Sequence, residues 1–410
     1  MRYFIICLVA FNMYALTLDE AKEIGVKNSF DIKSTQQNIE ALKEDTKSLE
    51  SAYLPTVDAK YNYYNKDEVV TSRLKEQSTL TLETNYNLFN GFFDKYQIES
   101  SKQQLNAKEY YLNSLKYDKS LNIATKYIAF LVARKIYELK KEALNMAEKH
   151  KNDSYSYYIN EIVAKNVYLE NEVDFENAKY ELISAKNSLE IAKKELENEI
   201  NFEITSEIDD IKFEEINFEL EELKKELHDR SEIKQMMSLI DSLRAKQNVI
   251  KSDFYPKVSL SATHSRFGEE YSLNGLKNYP DSENQIGLNI KYNLYSGSST
   301  TYKTNSNIFQ TNALLEDLNK LKNELNLQLF RALKNYNSSM SKIEVAKKAI
   351  EAAEENYKIV SNQFKNQLVN SSTLIDAKYY LFSTKQQYIL TVYDLLLQKE
   401  RLKRVVEKNF

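Results

Sequence analysis

The chain repeats itself once, and that duplication limits its folds more than any other feature. Ser51-Ala52-Tyr53-Leu54-Pro55-Thr56-Val57 returns as Ser252-Asp253-Phe254-Tyr255-Pro256-Lys257-Val258, 201 positions later. Tyr86-Asn87-Leu88-Phe89-Asn90-Gly91 returns as Tyr292-Asn293-Leu294-Tyr295-Ser296-Gly297, now 206 positions later. The second copy therefore holds five extra residues between the two matches. The offset of 206 persists from Leu121 and Leu327 to Ala147 and Ala353. A unit of this length is too long for a solenoid repeat. Two of the three prolines, Pro55 and Pro256, share one repeat position, where helix must give way to another structure.

Beyond each proline the residues alternate. Val57, Ala59, Tyr61 and Tyr63 are separated by Thr56, Asp58, Lys60 and Asn62. Leu80, Leu82, Thr84, Tyr86 and Leu88 alternate with Thr81, Glu83, Asn85 and Asn87. In the second copy Val258, Leu260 and Ala262 alternate with Lys257, Ser259 and Ser261, and Ile286 to Leu294 with Gln285 to Asn293. A period of two predicts strands. Each copy thus holds a hairpin, at about 56–88 and 257–294, closed by a polar loop that contains Gly268, Gly275 and Pro280 in the second copy.

The remainder predicts helix. Leu182, Ala185, Leu189, Ala192, Leu196 and Ile200 follow heptad-like spacings, and alanine in such a stripe permits close approach. The whole chain has 6 glycines and 3 prolines, where average usage gives roughly 29 and 20. Both residues interrupt helices, so their scarcity implies very long ones. A helix over residues 93–149 alone is about 85 Å long. Residues 201–230 alternate only weakly, at Asn201-Phe202-Glu203-Ile204 and Ile211-Lys212-Phe213-Glu214, and read as a mixed equatorial link. The expected division is a first repeat over 16–200, the link, and a second repeat over 231–410.

The first fifteen residues set the address. Arg2 precedes an apolar run from Tyr3 to Tyr14, and Ala15 supplies a small residue before the polar Thr17-Leu18-Asp19-Glu20. That order predicts a secretory signal peptide over 1–15. The only cysteine, Cys7, lies inside it, so the mature chain is expected to have no thiol chemistry, no disulfide and no lipid anchor. No later segment is apolar enough for a spanning helix.

Exported strands of about ten residues, apolar on one face and polar on the other, match the membrane β-barrel pattern. An open four-stranded sheet leaves edge groups unpaired in lipid, so copies must join. Two copies give a filled eight-stranded barrel; three give twelve strands and a lumen, which suits the polar face of Lys60, Glu83, Asn85, Asn289 and Lys291. Aromatic rings at the strand–helix junctions (Tyr53, Phe89, Phe92, Phe93, Phe254, Tyr255 and Tyr295) suit a membrane interface.

The opening Leu16-Thr17-Leu18-Asp19-Glu20-Ala21, the Leu/Tyr-Pro entry to each hairpin, the Tyr-Asn-Leu-aromatic-x-Gly exit and the duplication together resemble the TolC-type outer membrane efflux protein family. The resemblance covers the mature chain. It implies a mainly α protein with a membrane β-barrel: a homotrimer with a twelve-stranded barrel and an α-helical periplasmic tunnel. It further implies a periplasmic adaptor and an inner-membrane transporter as partners, and drugs, metal ions or polypeptides as cargo.

The family's tunnel tip carries an aromatic-x-x-Gly-Leu stretch. Here the second copy reads Phe364-Lys365-Asn366-Gln367-Leu368 and the first Tyr158-Ile159-Asn160-Glu161-Ile162, so Gln367 and Glu161 replace the glycine. By resemblance Tyr158, Glu161, Phe364 and Gln367 are the candidate adaptor contacts. A family ring of carboxylates maps to Asp376, with Thr373 in place of the second acid and Glu170 as the first-copy counterpart. Three copies of Asp376 would form a cation-favouring constriction.

Other functions have little to stand on. His150, His228 and His264 lie far apart without metal-ligand spacing, and each is expected at the surface. No phosphate-cradling glycine loop is present. A net charge of −4 argues against a nucleic-acid partner. The expected protein is a non-enzymatic duct without cofactor. The alternative is an exported coiled-coil periplasmic adaptor or scaffold without a pore, which the four strands disfavour.

Overall fold

A computed structural model of the chain describes residues 15–67, 75–211, 216, 218–276 and 280–408. The predicted signal peptide, apart from Ala15, and the Lys212-Phe213-Glu214 alternation lie outside these residues. The chain forms two compact units: Met1–Ser34, Leu112–Arg230 and Lys322–Phe410 in one, Thr35–Tyr111 and Ser231–Leu321 in the other.

The duplication is written into every main element. Helix α2 (Phe30–Glu50) and α6 (Ser231–Lys251) have 21 residues each. Strand β1 (Thr56–Asn65) corresponds to β3 (Lys257–Gly268), and β2 (Glu76–Asn90) to β4 (Ser282–Lys291). Helices α3 (Phe93–Ile159) and α7 (Ser299–Lys365) have 67 residues each. Helices α4 (Lys165–Ile200) and α8 (Ser371–Val406) have 36 each. Helix α1 (Leu18–Asn28) precedes α2 as the short α5 (Leu220–Glu226) precedes α6. The second copy thus begins inside the stretch that reads as a link.

Two of the cores in the helical unit are built on one plan. Ile123, Tyr127, Leu196 and Ile200 pack with Leu16, Ala21 and Ile208 in the first. Leu329, Leu333, Leu402 and Val406 pack with Leu223 and Leu227 in the second. Tyr127 is fully buried, and its hydroxyl lies 2.8 Å from the carbonyls of both Leu16 and Asp209. Tyr336 similarly donates to the carbonyl of Ile216 at 2.9 Å. Tyrosine here combines a large apolar body with a polar tip that stays hydrogen-bonded to backbone when buried.

In the other unit the strands form one antiparallel sheet in the order β1-β2-β3-β4. Each hairpin is entered through a 3-10 turn, closed by Leu54 N–H to Ser51 O at 2.9 Å and by Tyr255 N–H to Ser252 O at 3.0 Å. Proline follows each turn, where its fixed φ fits an extended start. At the exits Gly91 and Phe92 both adopt left-handed φ, 63° each, as do Gly297 and Ser298. A Cβ on Gly91 would lie 2.5 Å from the Ser252 carbonyl oxygen, so glycine is required there twice over.

Two details depart from the alternation. Strand β4 ends at Lys291, so Tyr292–Leu294 are not strand. Lys291 pairs with Lys257, the first residue of β3, and β4 is an edge strand; beyond that pair nothing remains to bond with. Strand β2 runs on to Asn90 because β3 accompanies it, with a register shift between Asn87 and Phe89 that takes Leu88 out of the ladder.

Candidate functional site

The sheet has one apolar and one polar face, and both follow from the register. Val57, Thr84, Ala262 and Ile286 form one row across all four strands; Tyr86, Leu260 and Leu288 form the next. This apolar face lies bare: Val57 is 70% exposed, Ile286 80% and Leu288 61%. The opposite face carries Lys60 beside Thr81, Glu83 between Asp58 and Thr263, Asn85 beside Ser261, Asn289 beside Ser259, and Lys291 beside Lys257. All five expected polar-face residues share it. Strands β1 and β4 are free edges of equal length, 10 residues each.

At the end of the sheet, Phe89 and Phe92 meet edge to face with centroids 5.0 Å apart, and Phe92 meets Tyr255 at 5.6 Å. Phe93 is half-buried, whereas Tyr295 is 81% exposed and makes no ring contact among the described residues. Of the seven expected aromatics, Phe89, Phe92 and Tyr255 thus form one cluster, and Tyr53 and Phe254 are exposed like Tyr295.

In the helical unit, the turns α3–α4 and α7–α8 have one geometry. Glu161 and Gln367 sit at φ 58° and 59°, the left-handed region that glycine normally serves. Glu161 N–H donates to Tyr158 O at 3.0 Å and Ile162 N–H to Tyr157 O at 2.9 Å; Gln367 and Leu368 do the same to Phe364 and Gln363, each at 2.9 Å. Helix-end carbonyls are satisfied in both copies, so the turn survives the loss of glycine. The left-handed conformation costs a residue with Cβ about 1–2 kcal/mol. Glu161→Gly and Gln367→Gly are each expected to raise stability by about 1 kcal/mol, read as a shifted midpoint in urea unfolding.

The starts of α4 and α8 differ. Asn370 caps α8 by accepting from Thr373 N–H at 2.9 Å and from the Thr373 hydroxyl at 2.7 Å, whereas Ala164 gives α4 no side-chain cap. Thr373 therefore serves the cap. Asp376 lies one turn further on, exposed and without an ion pair among the described residues, and Glu170 is likewise exposed. Tyr158 stacks on Tyr168 with centroids 6.2 Å apart, and Tyr155 lies 5.3 Å from Tyr168. Phe364 instead lines a cavity of about 330 Å³ with His150, Tyr157 and Tyr357.

Behind these surfaces are buried polar links with no repeat-related spacing. Lys378 forms an ion pair with Asp174, joining α8 to α4. Asn171 donates to the Ser371 hydroxyl at 2.8 Å, both side chains buried. His150, expected at the surface, is partly buried and lies 2.9 Å from the Tyr357 hydroxyl, because α7 covers the α3 face that carries it. Burial pushes the imidazole below the usual histidine range, and Lys378 adds to this. The folded state thus favours neutral His150. The stability it contributes is complete above pH 6.5, its ordinary value, and is lost as pH falls through the lower folded value. His150→Gln is expected to flatten that acidic limb in thermal melts followed by circular dichroism.

Similarity to known proteins agrees with this geometry. Residues 223–406 match the family described as outer membrane efflux protein. No curated protein sequence matches the chain. Among solved structures, CusC superposes with TM-score 0.84 at 12% identity, over 95% of this chain and 91% of that one. VceC from Vibrio cholerae gives 0.82 at 15%, over 96% of both chains. The open state of MtrE from Neisseria gonorrhoeae gives 0.81 at 15%, over 95% and 88%. By sequence residues 223–406 are similar to the outer membrane efflux protein family, and the whole chain shares the fold of CusC, VceC and MtrE.

Proposed function

We propose that this chain is the outer membrane exit duct of a tripartite efflux or type I secretion system, assembled from three copies. The bare apolar face of the sheet carries this reading. In water such a face would be a severe association hazard; in lipid it is the required surface. The free edges of β1 and β4 then need partners, because hydrocarbon offers unpaired backbone groups none. Joining β4 of one copy to β1 of the next closes a ring, and three copies leave a lumen lined by the Lys60–Lys291 face. A pore-free scaffold would leave both the apolar face and the edges without purpose.

The duct would be passive: a periplasmic adaptor engages the helical turns, and an inner-membrane transporter supplies the energy. Tyr158, Glu161 and Gln367 are the adaptor candidates. Their two copies offer alike backbones with different side chains, so an adaptor would meet two related but unequal docking points. Phe364, turned into the cavity, would support the turn from behind.

The purified protein in planar bilayers tests the duct reading directly: stepwise conductance is expected, and release from outer membranes by a carbonate wash would overturn it. Asp376 would supply a cation-favouring ring in the assembled tunnel. Asp376→Asn is expected to lower cation over anion permeability severalfold, measured as a shifted reversal potential in a salt gradient. An unchanged potential would remove Asp376 from that role.

A further inference from the structure

We infer that the outward face of the second hairpin, at its loop end, binds the phosphate of an anionic lipid headgroup. This rests on the membrane reading above. On β1 and β2 the apolar face continues through Leu82 and Leu80 to Tyr61 and Tyr63. On β3 and β4 it stops at Ala262 and Ile286, and the next residues on the same face are His264 paired with Asn284, then Arg266 paired with Ser282. His264 lies beside Leu82, and Arg266 beside Leu80. The polar boundary thus steps between hairpins, as a headgroup plane does when it cuts tilted strands. A cation directed at hydrocarbon is costly, but at the headgroup level it meets phosphate.

The two side chains are held in place. Arg266 Nε donates to the Leu273 carbonyl at 3.0 Å, which fixes the guanidinium against the folded-back loop. Its two Nη groups have no ion-pair partner among the described residues, and this paired fork suits phosphate oxygens. His264 Nδ1 lies 2.8 Å from Asn284 Oδ1, leaving Nε2 for a ligand. Both residues are exposed. The same loop places Tyr271 on the Tyr63 ring, centroids 4.5 Å apart, and the Tyr61 hydroxyl donates to the Tyr271 carbonyl at 3.0 Å. Tyrosines beside basic residues mark an interfacial level. The nearby carboxylates are Glu269 and Glu270 in the following turn, Asp281, which lies against Gly275 of the same loop, and Glu76, which accepts from the Tyr63 hydroxyl at 2.9 Å.

The test uses the full chain reconstituted in vesicles of phosphatidylcholine and phosphatidylglycerol in equal amounts, with bound lipid counted by native mass spectrometry. Phosphatidylglycerol is expected to be enriched on the protein. The enrichment should fall about fivefold for Arg266→Gln and further when His264→Gln is added. Arg266→Lys, which keeps the charge and loses the fork, should fall between. Lys60→Gln, on the polar face, should leave enrichment unchanged, and millimolar inorganic phosphate should not displace the lipid. Equal enrichment in the double variant, an equal loss in Lys60→Gln, or displacement by inorganic phosphate would each overturn the inference. Failure to insert in any vesicle would overturn the membrane reading, and this inference with it.

Discussion

Leu288→Arg is expected to abolish stable membrane insertion, whereas Asn289→Arg, one residue away, leaves it intact. The two positions differ only in face. Leu288 shares a row with Leu260 and Tyr86 on the bare apolar side, and Asn289 lies beside Ser259 on the polar side. An arginine aimed at lipid near the bilayer midplane costs about 2–4 kcal/mol. Symmetry multiplies this, so a three-copy barrel is weakened by roughly 6–12 kcal/mol, as much as a whole domain's stability. In the lumen the same guanidinium stays hydrated. The measurement is the fraction of each variant kept in the membrane pellet after carbonate, with trimer content read on native gels. Equal retention of both variants would mean that the faces are assigned wrongly or that the sheet meets no lipid.

What the sequence disclosed follows from which forces act locally. The faces of the hairpins were legible because lipid on one side and water on the other impose a period of two on each strand separately. Their starts were legible because Pro55 and Pro256 cannot continue a helix. The end of β4 was not, since Tyr292, Asn293 and Leu294 carry on the alternation while the partner strand has run out. Long helices announced themselves through missing glycine and proline. The turns at Glu161 and Gln367 were harder, because their backbone takes the glycine conformation without the glycine. His150 has no local signal of burial: its partner Tyr357 lies 207 residues away and breaks the repeat offset by one. Asp174 and Lys378, 204 residues apart, break it as well. Duplication reveals what the copies share, and these tie points lie where they have diverged.

That divergence sets up the second large effect, at the pair between α4 and α8. The Lys378 and Asp174 side chains are 7% and 14% exposed, so neither charge is well hydrated. Lys378→Met would strand the Asp174 carboxylate beside buried Asn171 and Ser371, and breaking a buried pair in this way costs about 3–5 kcal/mol. The loss falls in the first turns of α4 and α8, near the α3–α4 and α7–α8 turns, where the proposed duct would part its helices to open. Lys378→Met is therefore expected to lower the melting temperature and to raise single-channel open time in planar bilayers. Adding Asp174→Leu removes the stranded charge. Because an apolar pair of similar volume is often as stable as the buried ion pair it replaces, the double variant should recover the melting temperature. Its channel behaviour separates two roles. If open time also returns to the original value, the pair acts through stability alone. If it remains high with the melting temperature restored, the charge pair itself holds the helices together in the closed state. A single variant that melts and conducts like the original protein would show that water screens the pair and that the closing contact lies elsewhere.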